Sequence, residues 1–144
     1  MSRLKQNESI THIMSKDLQT INSQTPLSTV GKIFAESGFH HLPVVSGEKL
    51  VGIVSFVDLM RVSFKDSFGV TAQQTVYDVL DRTLDVEAIM TKNPVTVCSN
   101  DTIKHAASIL ARGDFHALPI VGDDQQLLGL VTSADLINYL LEQY

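Results

Sequence analysis

The chain has 144 residues, 44% of them hydrophobic and 19% charged, with a formal net charge of −5. That balance describes a globular chain with a core, and its scattered lysines and arginines argue against a nucleic-acid footprint. No apolar run approaches the ~18 residues needed to span a membrane, and the polar start Met1–Glu8 lacks the apolar stretch of a secretory signal, so a cytoplasmic location is expected. The single Cys98 has no partner for an intramolecular disulfide and reads as a small half-buried residue rather than a reactive thiol.

Taken in order, Ser9 to Met14 suggests a short helical turn, and Thr20-Ile21 a very short strand. Thr25-Pro26 has the form of a helix start, with a hydroxyl at N-cap and proline at the first helical position. Val30, Ile33 and Phe34 then give that helix one apolar face, and Gly38 ends it. Leu42–Val45 and Leu50–Val54 read as paired strands around a turn at Ser46–Lys49. A further helix carries Leu59, Met60 and Val62. The stretch Phe64 to Val86 suggests one more helix, through Val76, Val79 and Leu80, with a cap at Thr71 or Thr75 and a break near Asp81-Arg82-Thr83.

From Ile89 the pattern returns. A shift of 76 places Ile13-Met14 on Ile89-Met90, Thr20 on Thr96, Phe39-His40 on Phe115-His116 and Leu42-Pro43 on Leu118-Pro119. One residue is added in the following turn, after which Gly52 falls on Gly129 and Asp58-Leu59 on Asp135-Leu136. The chain thus divides into repeats at 9–62 and 85–144 joined by a connector at 63–84. Each repeat is near the size at which a core is marginal alone, so the two are expected to pack on each other.

Each repeat closes on Gly-x-x-Ser/Thr-x-x-Asp, written Gly52, Ser55 and Asp58, then Gly129, Thr132 and Asp135. A hydroxyl at N-cap with a carboxylate three residues on is close to a capping box. The same geometry suits a ligand. A helix N-terminus with a hydroxyl beside it offers donors to a phosphate, and an aspartate one turn in suits ribose hydroxyls. The two readings are compatible.

The Ile-Met pairs, the Leu-Pro-Val/Ile-Val strands and the duplicated closing motifs together resemble a tandem pair of cystathionine-β-synthase-type (CBS) domains. The resemblance implies an α+β fold of two βαββα repeats packed with pseudo-twofold symmetry, with clefts between them. It also implies a sensor that binds AMP, ADP, ATP or S-adenosylmethionine without catalysis. It assigns Asp58 and Asp135 to ribose, and Ser55 and Thr132 to the neighbouring sugar–phosphate edge. The adenine would meet Thr20-Ile21 or Thr96-Val97, and the approaches Phe39-His40-His41 with Pro43 and Phe115-His116-Ala117 with Pro119. Phe39 and Phe115 fit a core equally well. His40 and His116 match across the repeat, but His41 faces Ala117, so two similar rather than identical sites are expected.

The resemblance further implies a homodimer and, with no other segment fused to the pair, a separate effector protein. Apolar residues Leu136, Ile137, Leu140 and Leu141 fit either a dimer face or a core. No required cofactor, metal site or catalytic motif is expected, and His12 and His105 read as surface residues. The alternative is a ligand-independent interaction domain in which the closing motif is only a cap.

Overall fold

The structure, a computed structural model, describes residues 7–65 and 73–144, with side chains described up to Ser63 and from Tyr77 onward. The cap expected at Thr71 lies outside them. The chain forms two compact units. One is Gln19–Asn93, the Ser55 unit; the other joins the residues up to Leu18 to Pro94–Tyr144, the Thr132 unit.

The Ser55 unit contains α1 (Leu27–Ser37), β1 (His41–Ser46), β2 (Lys49–Ser55), α2 (Phe56–Lys65), α3 (Gln73–Thr83), α4 (Val86–Ile89) and β3 (Thr91–Lys92). Its antiparallel sheet has the order β1-β2-β3, and Ile21 bridges β1 in parallel at Val44. The Thr132 unit opens with a 3-10 turn at Ile10–His12 and continues with β4 (Val97–Cys98), α5 (Ile103–Leu110), β5 (Ala117–Val121), β6 (Leu127–Thr132) and α6 (Ser133–Glu142). Its order is β4-β5-β6, with β4 parallel to β5, and Ser15 bridges β6 antiparallel at Leu130. This is the predicted α+β arrangement of βαββα repeats, with the first strand of the Ser55 unit reduced to the bridge at Ile21.

Local sequence explains most of these elements. On β2 every second residue is buried (Leu50, Gly52, Val54), as one core-facing side of a pleated strand requires. Gly38 ends α1 at φ 74°, and Gly47 turns the β1–β2 hairpin at φ 64°; both sit in the left-handed region that glycine enters without penalty. The start of α1 differs from expectation by one residue. Pro26 is itself the N-cap, and the Thr25 hydroxyl accepts from the Asn22 N–H at 3.1 Å instead of capping the helix. The cap comes from far along the chain, as the Ser28 N–H donates to Asp81 Oδ1 on α3 at 2.9 Å. In the other unit Thr102 stands where Pro26 does and caps α5 directly, accepting from the His105 N–H.

The segment between the repeats is therefore more than a tether. Besides Asp81, α3 places Leu80 fully buried in the core with Leu27, Val30 and Leu42, and its Tyr77 ring lies against Gly31 of α1, where a Cβ would clash with the phenol. Cys98 is exposed rather than half-buried, and Asp101 Oδ2 accepts from both its backbone N–H and its thiol.

The lead-ins to the repeats cross over. Met14 and Ser15, which open the first repeat, lie in the Thr132 unit; Met90, Thr91 and Lys92, which open the second, lie in the Ser55 unit. Each methionine packs onto the glycine of a closing motif. A Cβ on Gly129 would stand 2.5 Å from Met14 Sδ and 2.9 Å from the Ser15 carbonyl oxygen. On Gly52 it would stand 2.5 Å from Met90 Sδ and 3.0 Å from the Thr91 carbonyl oxygen. Ser15 and Leu130 exchange both backbone hydrogen bonds, at 2.8 and 3.0 Å. Upstream, Glu8 pins the lead-in to α6 by accepting from the Tyr139 hydroxyl at 2.7 Å, while its other oxygen meets His12 Nδ1 at 3.2 Å.

Two outcomes follow from these contacts. Gly52→Ala and Gly129→Ala should each lower stability by about 1–3 kcal/mol, the usual range for overpacking. Adding Met90→Ala or Met14→Ala should restore only part of the loss, because the carbonyl remains; unchanged urea midpoints in the glycine variants would refute the close approach. The second concerns Tyr139, whose hydroxyl is held above its ordinary pKa of 10.0 by its bond to Glu8, then by partial burial and the carboxylate's charge. A raised tyrosine pKa gives stability that is whole below the unfolded-state value and lost as pH rises through the folded one. Alkaline unfolding measured above about pH 10 should thus be shallower in Tyr139→Phe than in the parent chain.

Candidate ligand site

The closing motifs lie where β2 passes into α2 and β6 into α6, and both form complete capping boxes. The Ser55 N–H donates to Asp58 Oδ2 at 2.9 Å and the Asp58 N–H to Ser55 Oγ at 3.1 Å. The Thr132 N–H donates to Asp135 Oδ2 at 2.8 Å and the Asp135 N–H to Thr132 Oγ1 at 3.2 Å. The residue just before the first strand of each hairpin, β1 or β5, also docks here. The Phe56 N–H donates to the His40 carbonyl at 2.9 Å, and the Ser133 N–H to the His116 carbonyl at 3.0 Å. The first and third N–H groups of each helix are thereby engaged.

These bonds use each hydroxyl as an acceptor and one oxygen of each carboxylate. The hydroxyl hydrogen and the second carboxylate oxygen are the atoms that capping does not require. The two sites then differ. Asp58 Oδ1 meets Arg61 Nη1 at 3.4 Å, one turn along α2, and the Arg61 side chain is 70% exposed. Asn138 occupies the matching position on α6, and among the described contacts Asp135 meets no cation.

Within each unit the predicted residues converge on one end of the sheet. His41 is the cross-strand partner of Ser55, and Ala117 that of Thr132, so each pair shares one face with Cβ atoms about 5 Å apart. Ile21 donates to the Pro43 carbonyl at 3.0 Å, which sets Thr20 beside the start of β1. Val97 pairs with Ile120, setting Thr96 beside the start of β5. Several of these side chains are committed to the core: Ile21, Pro43, Val97, Ala117 and Pro119 are buried, leaving backbone edges to a neighbour. Thr20 and Thr96 are half-buried, and His40 and His116 are exposed. The phenylalanines part company, since Phe39 is 41% exposed whereas Phe115 packs against the core of its unit.

Arg61 was not among the residues expected at the site. Its signal was present in the sequence as a cation three residues beyond an aspartate on one helix face. An open hollow of about 300 Å³ lined by Asp81, Arg82, Thr83, Leu84, Asp85 and Ala88 includes none of the predicted ligand residues. Among the described residues no group of three His, Cys, Asp or Glu side chains could hold a metal ion, and no helix is long and apolar enough to cross a membrane.

Comparison with known proteins places this geometry in a family. The CBS domain family matches residues 10–65 and again 86–142. A CBS domain-containing protein of Dictyostelium discoideum is 31% identical over 92% of this chain and 91% of its own length. A crystal structure of a Methanocaldococcus jannaschii protein, proposed as an archaeal homolog of g-AMPK, superposes with a TM-score of 0.80 at 27% identity, over 96% of this chain and 49% of that one. The CBS domain pair of protein MJ0100, solved with 5′-methylthioadenosine and S-adenosyl-L-methionine, gives a TM-score of 0.73 at 25% identity, over 92% and 98% of the two chains. CBSX2 of Arabidopsis thaliana in complex with AMP shares the fold at 24% identity and a TM-score of 0.77, over 94% and 97%. Some curated relatives are much longer, and the chain spans 49% of the Methanocaldococcus protein and 22% of an inosine-5′-monophosphate dehydrogenase of Korarchaeum cryptofilum. With the family matched twice, in order, over most of its length, the chain belongs to the CBS domain family and carries the domain as a tandem pair.

Proposed function

We propose that the chain is a non-catalytic regulatory module that binds an adenosine-containing ligand at each closing motif and passes the bound state to an effector protein. The observation that carries this reading is the duplicated box. In both units a serine or threonine hydroxyl hydrogen and an aspartate oxygen are left over after the helix is capped, on residues three apart at the helix start. The oxygen accepts from ribose hydroxyls and the hydroxyl donates to the sugar–phosphate edge. Adenine lies along the backbone at Thr20-Ile21 or Thr96-Val97, with Phe39 available beside the first motif. The adenosyl ligands bound to the MJ0100 pair support the same ligand class here.

Isothermal titration with AMP, ADP, ATP and S-adenosylmethionine tests the proposal. At least one should bind, and Asp58→Ala and Asp135→Ala should each weaken one site by about 10- to 100-fold, the worth of hydrogen bonds to a charged group. Each variant also loses half a capping box, so its ligand-free stability should fall by about 1 kcal/mol. Loss of stability without loss of affinity would leave the aspartates as caps alone. No heat with any of the four ligands would end the adenosyl reading.

A second reading rests on α6, where Ile137, Leu140 and Leu141 are 59%, 42% and 64% exposed while Leu136 packs inward. That exposed apolar face supports a protein contact, and we assign it to a homodimer. Native mass spectrometry at micromolar concentration should show a dimer that Ile137→Glu with Leu141→Glu converts to monomer. A parent chain that is already monomeric would count against the assignment.

A further inference from the structure

We propose that Arg61 sorts ligands by charge between the two motifs, so that the Ser55 site takes phosphorylated adenosyl ligands and the Thr132 site takes uncharged or cationic ones. The inference rests on the adenosyl reading above but concerns a difference that reading does not supply. An aspartate that holds ribose sits close to whatever the ribose 5′ carbon bears. A bare carboxylate there repels a phosphate and favours a neutral thioether or a positive sulfonium. At the Ser55 motif that repulsion is offset, because Arg61 lies 3.4 Å from the Asp58 oxygen not used by the cap. At the Thr132 motif it is not. The matching residue is Asn138, and no cation among the described contacts meets Asp135.

The guanidinium is well placed for this role. The Arg61 side chain is 70% exposed while the Asp58 side chain it meets is 17% exposed, so the arginine can turn to a second anion without uncovering buried surface. Its planar fork can span a carboxylate and a phosphate together. The cross-strand residues differ in the same sense, with an imidazole at His41 against a methyl group at Ala117. Being exposed, Arg61 acts through screened electrostatics, so the expected effect is modest and falls with added salt.

The test compares AMP with 5′-methylthioadenosine, which share adenosine and differ at the 5′ position. In the Asp135→Ala background, where the Ser55 site remains, AMP should bind more tightly. In the Asp58→Ala background the order should reverse. Arg61→Gln should then lower the AMP-to-methylthioadenosine affinity ratio at the Ser55 site by about two- to fivefold, with methylthioadenosine affinity unchanged as the control for folding. Asn138→Arg should raise the ratio at the Thr132 site by a similar factor, and both effects should shrink in 0.5 M salt. Ratios that do not move, while both ligands still bind, would overturn the role of Arg61 and leave the adenosyl reading standing. If neither ligand binds the parent chain, that reading fails and this inference falls with it.

Discussion

The fold turns on a close approach between a methionine and a glycine, made twice. Met14 on Gly129 and Met90 on Gly52 bring a lead-in segment so near a sheet strand that no side chain fits between them. That nearness lets Ser15 and Thr91-Lys92 hydrogen-bond to β6 and β2 as an added edge. Because each lead-in joins the sheet of the opposite repeat, neither repeat as written in the sequence is a complete sheet. The duplication thus exchanges its lead-ins between the two repeats.

The same strand that carries the glycine ends three residues later on the cap hydroxyl. The closing motif therefore does two jobs along one short path. Its first residue admits the lead-in, and its Ser/Thr and Asp set the helix start. Since the capping bonds already fix both side chains, a ligand of the proposed kind would find little side-chain freedom left to remove. The cap uses only some atoms of these two residues, so a good cap is no argument against the proposed site.

What could be read from the sequence was what local pattern encodes. The repeat, the β1–β2 hairpin, the end of α1 at Gly38 and both boxes follow from residue order and spacing. What could not be read depends on partners far along the chain. Thr25-Pro26 has the local form of a cap, yet the helix is closed by Asp81, fifty-three residues beyond Ser28. The stretch between the repeats has no repeat to mark it, so nothing local reveals that Leu80 is core or that Tyr77 covers Gly31. Arg61 was hidden differently. An i,i+3 ion pair is an ordinary surface feature, and only the finding that Asp58 has one oxygen tied to the cap makes its neighbour informative.

The bond between Glu8 and Tyr139 spans 131 residues of sequence, and it sets an order on the way the molecule can assemble. The Ser55 unit is one continuous stretch, so all of its sheet is in hand once the chain has been made as far as Asn93. The Thr132 unit is split around it, and its opening segment must be held without its sheet while some seventy-five residues are added between the two parts. Contacts of such long separation close late because their loop entropy must be met first. During synthesis this segment emerges ahead of the Ser55 unit yet is among the last to find its place, with Ile10, Ile13 and Met14 as apolar surface awaiting a partner.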